Sequence, residues 1–132
     1  THQPSPWIGD YASFLLMVQA GPEGSAQFNR KTPFQWSSAY RLDQSTLQPN
    51  HLAARFLADG IGMEMTPTER GAIFRFDFVG HQDGRVIFQP TKGVSEIEFH
   101  PGNGSFSARV TGYSGGVPEG FGMYVYGEFD LP

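Results

Sequence analysis

An antiparallel β-sandwich, all-β in class, is the fold this sequence predicts, and three observations predict it. Apolar and polar residues alternate in short runs, which is the period of a strand with one covered face. Turns rich in glycine and proline separate the runs, drawn from 17 Gly and 10 Pro among 132 residues. Aromatic residues make up 14% of the chain, 12 of them Phe, and such side chains suit a pleated, half-covered surface. The length fits one compact domain, residues 1–132, better than two. Unequal strand and loop lengths favour a sandwich over a small closed barrel.

The elements follow in order. Pro4-Ser5-Pro6-Trp7-Ile8-Gly9-Asp10-Tyr11 is a loop, because two prolines and a Gly-Asp pair interrupt regular structure. Residues 13–19 (SFLLMVQ) are an apolar run short enough for a buried strand. Residues 21–31 are polar and contain glycine, so they read as loop. Residues 52–58 form a strand that ends at Asp59-Gly60, a two-residue hairpin signal. Ile61, Met63 and Met65 then alternate with Gly62, Glu64 and Thr66. A helical reading of residues 47–59, suggested by Ala53, Ala54 and Leu57, yields to that turn and to the alternation after it.

Ala72, Phe74, Phe76 and Phe78 alternate with Ile73, Arg75, Asp77 and Val79, and the Phe face is expected to be the buried one. Gln82-Asp83-Gly84 turns the chain into a strand at 85–89. Pro101-Gly102-Asn103-Gly104 separates strands at 94–100 and 105–111, the second with Phe106, Ala108 and Val110 on one face. A last strand at 122–129 sends Met123, Val125 and Phe129 one way, and Tyr124, Tyr126 and Glu128 the other.

Composition excludes several functions. The formal net charge is -4 and the 9 Lys and Arg are scattered, so no basic stripe awaits nucleic acid. A neutral polyol such as a sugar fits this balance. With 0 Cys there is no disulfide framework and no thiolate-ligated zinc. No run approaches the about 20 apolar residues of a membrane span. The opening Thr1-His2-Gln3-Pro4 has neither an initiator Met nor a signal-peptide pattern, and reads as a cut inside a longer chain.

Several segments carry a family resemblance. Gly60-Ile61-Gly62-Met63-Glu64-Met65-Thr66-Pro67-Thr68-Glu69-Arg70 resembles the "G-I-x-A-E-L-T-A-T-E-R" strand of glycoside hydrolase family 92. Phe74-Arg75-Phe76-Asp77-Phe78 is similar to the aromatic strand that follows it there. The end, Met123-Tyr124-Val125-Tyr126-Gly127-Glu128-Phe129-Asp130-Leu131-Pro132, resembles "Y-F-V-A-E-F-D-x-P". The Gly-x-Phe-x-x-x-Val-Thr-Gly-Tyr run at 104–113 and the opening His2 to Tyr11 also fit, so the likeness covers nearly the whole chain. Pro49-Asn50-His51-Leu52 stands where the family usually has Pro-Gly-Tyr-Tyr, and Pro67 where it usually has Ala.

The resemblance implies part of a supersandwich-like N-terminal domain of an exo-acting, inverting, calcium-dependent α-mannosidase. The expected substrate is terminal α-linked mannose, α-1,2 above all, on mannan or N-glycans. The expected partners are the C-terminal catalytic domain of the same polypeptide and the mannose-containing glycan, with no nucleic acid and no membrane. The acid, the base and the calcium ligands are expected on that larger domain, so the isolated fragment is expected to be inactive. A secreted or periplasmic location is likewise implied. The rival reading is a non-catalytic carbohydrate-binding β-sandwich module.

The residues themselves are consistent with this division. Most of the 13 carboxylates fall on solvent faces or in turns, Asp59, Asp83, Glu96, Glu98 and Glu119 among them, and no complete acid–base pair is expected. Glu69 beside Arg70 reads as a structural ion pair near a strand end. His2, His51, His81 and His100 lack ligand spacing and no Asp-x-Asp-x-Asp-Gly loop occurs, so no metal site is assigned. Gly115-Gly116-Val117-Pro118-Glu119-Gly120 lacks the Lys-Ser/Thr of a phosphate loop and reads as a turn.

The substrate-binding candidates are Trp7, Asp10 and His2, with Gln3 beside them. An indole in a rigid loop offers a flat face to the C–H side of a sugar, and a carboxylate accepts from hydroxyls. Burial of Trp7 against the sheet is the competing reading. Trp36 and Tyr40 are expected in the core or at a domain interface.

Overall fold

A computed structural model describes residues 14–21, 37–90, 95–111 and 121–130. Nine strands run through them: β1 (Phe14–Gln19), β2 (Thr46–Gln48), β3 (His51–Arg55), β4 (Gly62–Pro67), β5 (Ala72–Asp77), β6 (Arg85–Pro90), β7 (Ser95–His100), β8 (Ser105–Thr111) and β9 (Gly122–Glu128). One 3-10 turn, Leu42–Gln44, precedes β2, and there is no α-helix among the described residues. The strands form three sheets, ordered β1-β6, β2-β3-β4-β5 and β7-β8-β9. Every ladder in the second and third sheets is antiparallel. The expected class, all-β and antiparallel, is the one observed, and its sheets are consistent with a β-sandwich. The chain divides into two compact units, Thr1–Leu16 with Phe88–Pro132, and Met17–Ile87, and β1 and β6 each pass from one to the other.

In the Met17–Ile87 unit the register sorts side chains onto two faces. Leu52 pairs with Met65 and Met65 with Phe74, while Ala54 pairs with Met63 and Met63 with Phe76. That row is the apolar face, and Phe74, Phe76 and Phe78 are better covered than Ile73, Arg75, Asp77 and Val79, as the alternation predicts. Phe74 and Phe76 stack with centroids 5.8 Å apart. Val18, Leu52 and Ile61 are buried, Ile61 completely.

The β3–β4 connection departs from the expected two-residue turn. β3 stops at Arg55, and Phe56 N donates to Ile61 O at 2.9 Å, leaving residues 57–60 as the loop. Leu57 N donates instead to Ala39 O at 2.9 Å and Ala58 N to Ser38 Oγ at 3.0 Å. Gly60 closes the loop with φ +67°, a conformation that costs a side-chain-bearing residue energy. Tyr40 is 45% exposed, so the core reading of that residue is corrected; Trp36 lies outside the described residues.

In the other unit β8 is the middle strand, and Phe106, Ala108 and Val110 on its inner face are all buried. Phe106 is the centre of a ring cluster, with Phe88 at 5.6 Å, Phe129 at 6.0 Å and Phe99 at 6.3 Å between centroids. Phe88 in turn stacks on Phe14 at 4.7 Å. Burying a ring such as Phe106 stabilises by about 1.5–3 kcal/mol, so this cluster anchors the β7-β8-β9 sheet.

Candidate functional site

The side of that sheet opposite the Phe cluster carries the best-defined group of polar and aromatic side chains. Period-two alternation places Glu96 and Glu98 of β7, Ser107 and Arg109 of β8, and Tyr124 and Tyr126 of β9 on it. Register then aligns them in rows: Glu96 opposite Arg109 and Arg109 opposite Tyr124, Glu98 opposite Ser107 and Ser107 opposite Tyr126. A third row runs His100, Ser105, Glu128. The first two rows line an open groove of about 550 Å³.

The polar groups here are poised rather than saturated. Arg109 Nη1 is 4.0 Å from Glu96 Oε2, and His100 Nδ1 is 3.9 Å from Glu98 Oε1. Both separations exceed hydrogen-bond length. Arg109 Cζ lies 5.9 Å from the centroid of the Tyr124 ring, within cation–π range. Arg109 Nε is enclosed and has no hydrogen-bond acceptor among the described residues. The Tyr126 hydroxyl donates to Glu128 Oε1 at 2.6 Å. That bond to a carboxylate holds the Tyr126 phenol above its ordinary range, a bond with Ser105 opposing and slight burial assisting. Tyr124 is 73% exposed and Tyr126 61%.

Trp7, Asp10 and His2 lie outside the described residues, as do Gln3, Glu119 and the 115–120 turn. Glu96, Glu98 and Asp83 are exposed, as expected. Asp59 is half-buried: its Oδ2 accepts from Ala20 N at 3.4 Å, and its carbonyl lies 2.6 Å from His81 Nε2, which must be the donor because a carbonyl only accepts. The expected Glu69–Arg70 pair sits just beyond β4 at 4.0 Å with both side chains about nine-tenths exposed, so it holds little. Among the described residues no three His, Asp or Glu side chains gather as metal ligands. The Tyr124, Tyr126 and Glu128 face was legible in β9 alone. Its conjunction with Arg109, Glu96 and Glu98 was not, because register is invisible to alternation within one strand.

Fold and sheet face together define an all-β domain with a polar, aromatic outer surface. The profile of the glycosyl hydrolase family 92 N-terminal domain matches residues 1–132, and the chain belongs to that family. Among solved structures it is similar to the family GH92 inverting mannosidase BT2199 from Bacteroides thetaiotaomicron VPI-5482, with a TM-score of 0.77 and 29% identity over 94% of this chain. The chain spans 16% of the length of that protein. No curated protein matches it.

Proposed function

We propose that this chain is the sandwich wall of an exo-acting α-mannosidase that removes terminal α-1,2-linked mannose with inversion. The observation that carries the reading is the likeness to an inverting mannosidase along 94% of the chain, at 29% identity. Family membership over residues 1–132 supports the glycosidase class. In this reading the C-terminal catalytic domain of the same polypeptide supplies the acid and base. The acid protonates the leaving oxygen while the base takes a proton from the water that attacks the opposite face of the sugar. The calcium that the family resemblance implies belongs to that domain. Trp7 stacks on a sugar ring, with Asp10 and His2 at its hydroxyls.

The test is hydrolysis of an aryl α-mannoside by the full-length parent and by residues 1–132 alone. Turnover by the parent, with the β-anomer of mannose released first, is expected; turnover that tracks the purified fragment, or release of the α-anomer, overturns the reading. Trp7→Ala in the parent is expected to weaken substrate binding. Unchanged affinity for mannosides would assign that loop a bracing role instead.

A further inference from the structure

We propose that the Tyr124–Arg109–Tyr126 face of the β7-β8-β9 sheet is a platform for a neutral sugar chain. The sugar's identity as α-mannan rests on the proposed function; the platform itself rests on geometry. Tyr124 and Tyr126 are alternate residues of one strand, so they stand on the same side about 7 Å apart. Both rings are largely exposed, which leaves apolar ring faces in water unless something flat and partly apolar covers them. The C–H face of a pyranose does so.

The polar groups between the rings match hydroxyls. A sugar hydroxyl both donates and accepts, so it satisfies a guanidinium and a carboxylate at once. The 4.0 Å gap between Arg109 Nη1 and Glu96 Oε2 leaves both ends with capacity for such a bridge. The Tyr126–Glu128 bond fixes one ring before any ligand arrives, which lowers the entropy cost of binding.

Other occupants fit less well. Glu96, Glu98 and Glu128 outnumber Arg109, which disfavours phosphate or nucleic acid. A protein partner would have to desolvate those charges, and the cores of protein interfaces are depleted of them. A neutral polyol demands neither.

The experiment is affinity electrophoresis of the full-length parent in gels containing α-mannan. It compares the unaltered protein with the double variants Tyr124→Ala/Tyr126→Ala and Tyr124→Phe/Tyr126→Phe. About a tenfold loss of affinity is expected for the alanine pair, with most affinity kept by the phenylalanine pair, which preserves the rings. Equal retardation of all three proteins overturns the platform. So does equal loss in both variants, since that would locate the effect in hydroxyls or in folding. Tyrosine nitration of the unaltered parent guards against misfolded variants: Tyr124 should react, and α-mannan should protect it. A Tyr124 that stays unreactive without mannan is covered by the rest of the polypeptide, and that result also overturns the platform. Aryl α-mannoside hydrolysis in the same preparations reads the proposed function separately. Mannan-dependent retardation without hydrolysis would leave the platform standing while the mannosidase reading fell.

Discussion

Phe106 and Gly127 face each other across the β8–β9 ladder, and the Phe106 ring occupies the space that a side chain at 127 would need. A Cβ added at Gly127 would lie within 3.0 Å of three ring carbons. The ring cannot swing aside freely, because Phe88, Phe99 and Phe129 surround it. The glycine is therefore a packing requirement set by a residue 21 positions away, not a flexible joint.

Gly127→Ala is accordingly expected to destabilise the domain by about 1–3 kcal/mol, the usual cost of overpacking a filled core. Urea unfolding monitored by fluorescence measures it. A midpoint equal to that of the unaltered protein would mean the ring relocates at no cost. Pairing the change with Phe106→Leu should recover part of the loss, since the two residues compete for one volume.

Gly60→Ala should destabilise through the backbone instead. Its φ of +67° lies in the left-handed region that L side chains rarely adopt. About 1 kcal/mol is expected from thermal unfolding. Gly60→Asn should cost less, because Asn tolerates that region better. Equal losses for Ala and Asn would point away from the backbone.

The Glu64–Arg75 pair bridges β4 and β5, with Arg75 Nη2 donating to Glu64 Oε1 at 2.8 Å. The two residues are directly opposite in register, yet both side chains are well exposed. A double-mutant cycle with Glu64→Gln and Arg75→Met should give a coupling of about 0.2–1 kcal/mol. Raising the salt should shrink it. A coupling that salt leaves unchanged would indicate a packing contribution from the arginine stem.

Tyr126 should ionise above the ordinary tyrosine value of about 10, because its hydroxyl donates to the Glu128 carboxylate. Folding favours the protonated phenol, so the stabilisation is complete below the unfolded-chain value. It is lost as pH rises through the higher folded one. Difference absorbance between the unaltered protein and Tyr126→Phe reads the titration. The stability gap between these two proteins should close at strongly alkaline pH, and a gap that widens there would contradict the assigned bond.

How much of this was readable in the residues depended on where each hydrogen bond goes. Alternation marked β4, β5, β8 and β9 because each has one covered face and partners adjacent in sequence. Pro101-Gly102-Asn103-Gly104 marked the β7–β8 turn for the same reason, since its glycines and asparagine act locally. The early end of β3 at Arg55 had a distant cause: Leu57 and Ala58 bond to Ala39 and Ser38, which no local pattern announces. β2 was missed because Thr46–Gln48 is too short to show a period. The site was half legible. Tyr124 and Tyr126 declared their common face, but Arg109 reached them through a pairing that only the folded ladder establishes.

The middle position of β8 also sets a clock. Its amides bond to β7 on one side and β9 on the other, with Phe106, Ala108 and Val110 sealed beneath. Deuterium therefore reaches them only after a neighbouring strand detaches, whereas β7 has no paired neighbour on its outer side among the described residues. The slowest-exchanging protons of the unit should belong to the strand that presents Arg109, so the guanidinium stands on the part of the scaffold least given to fraying.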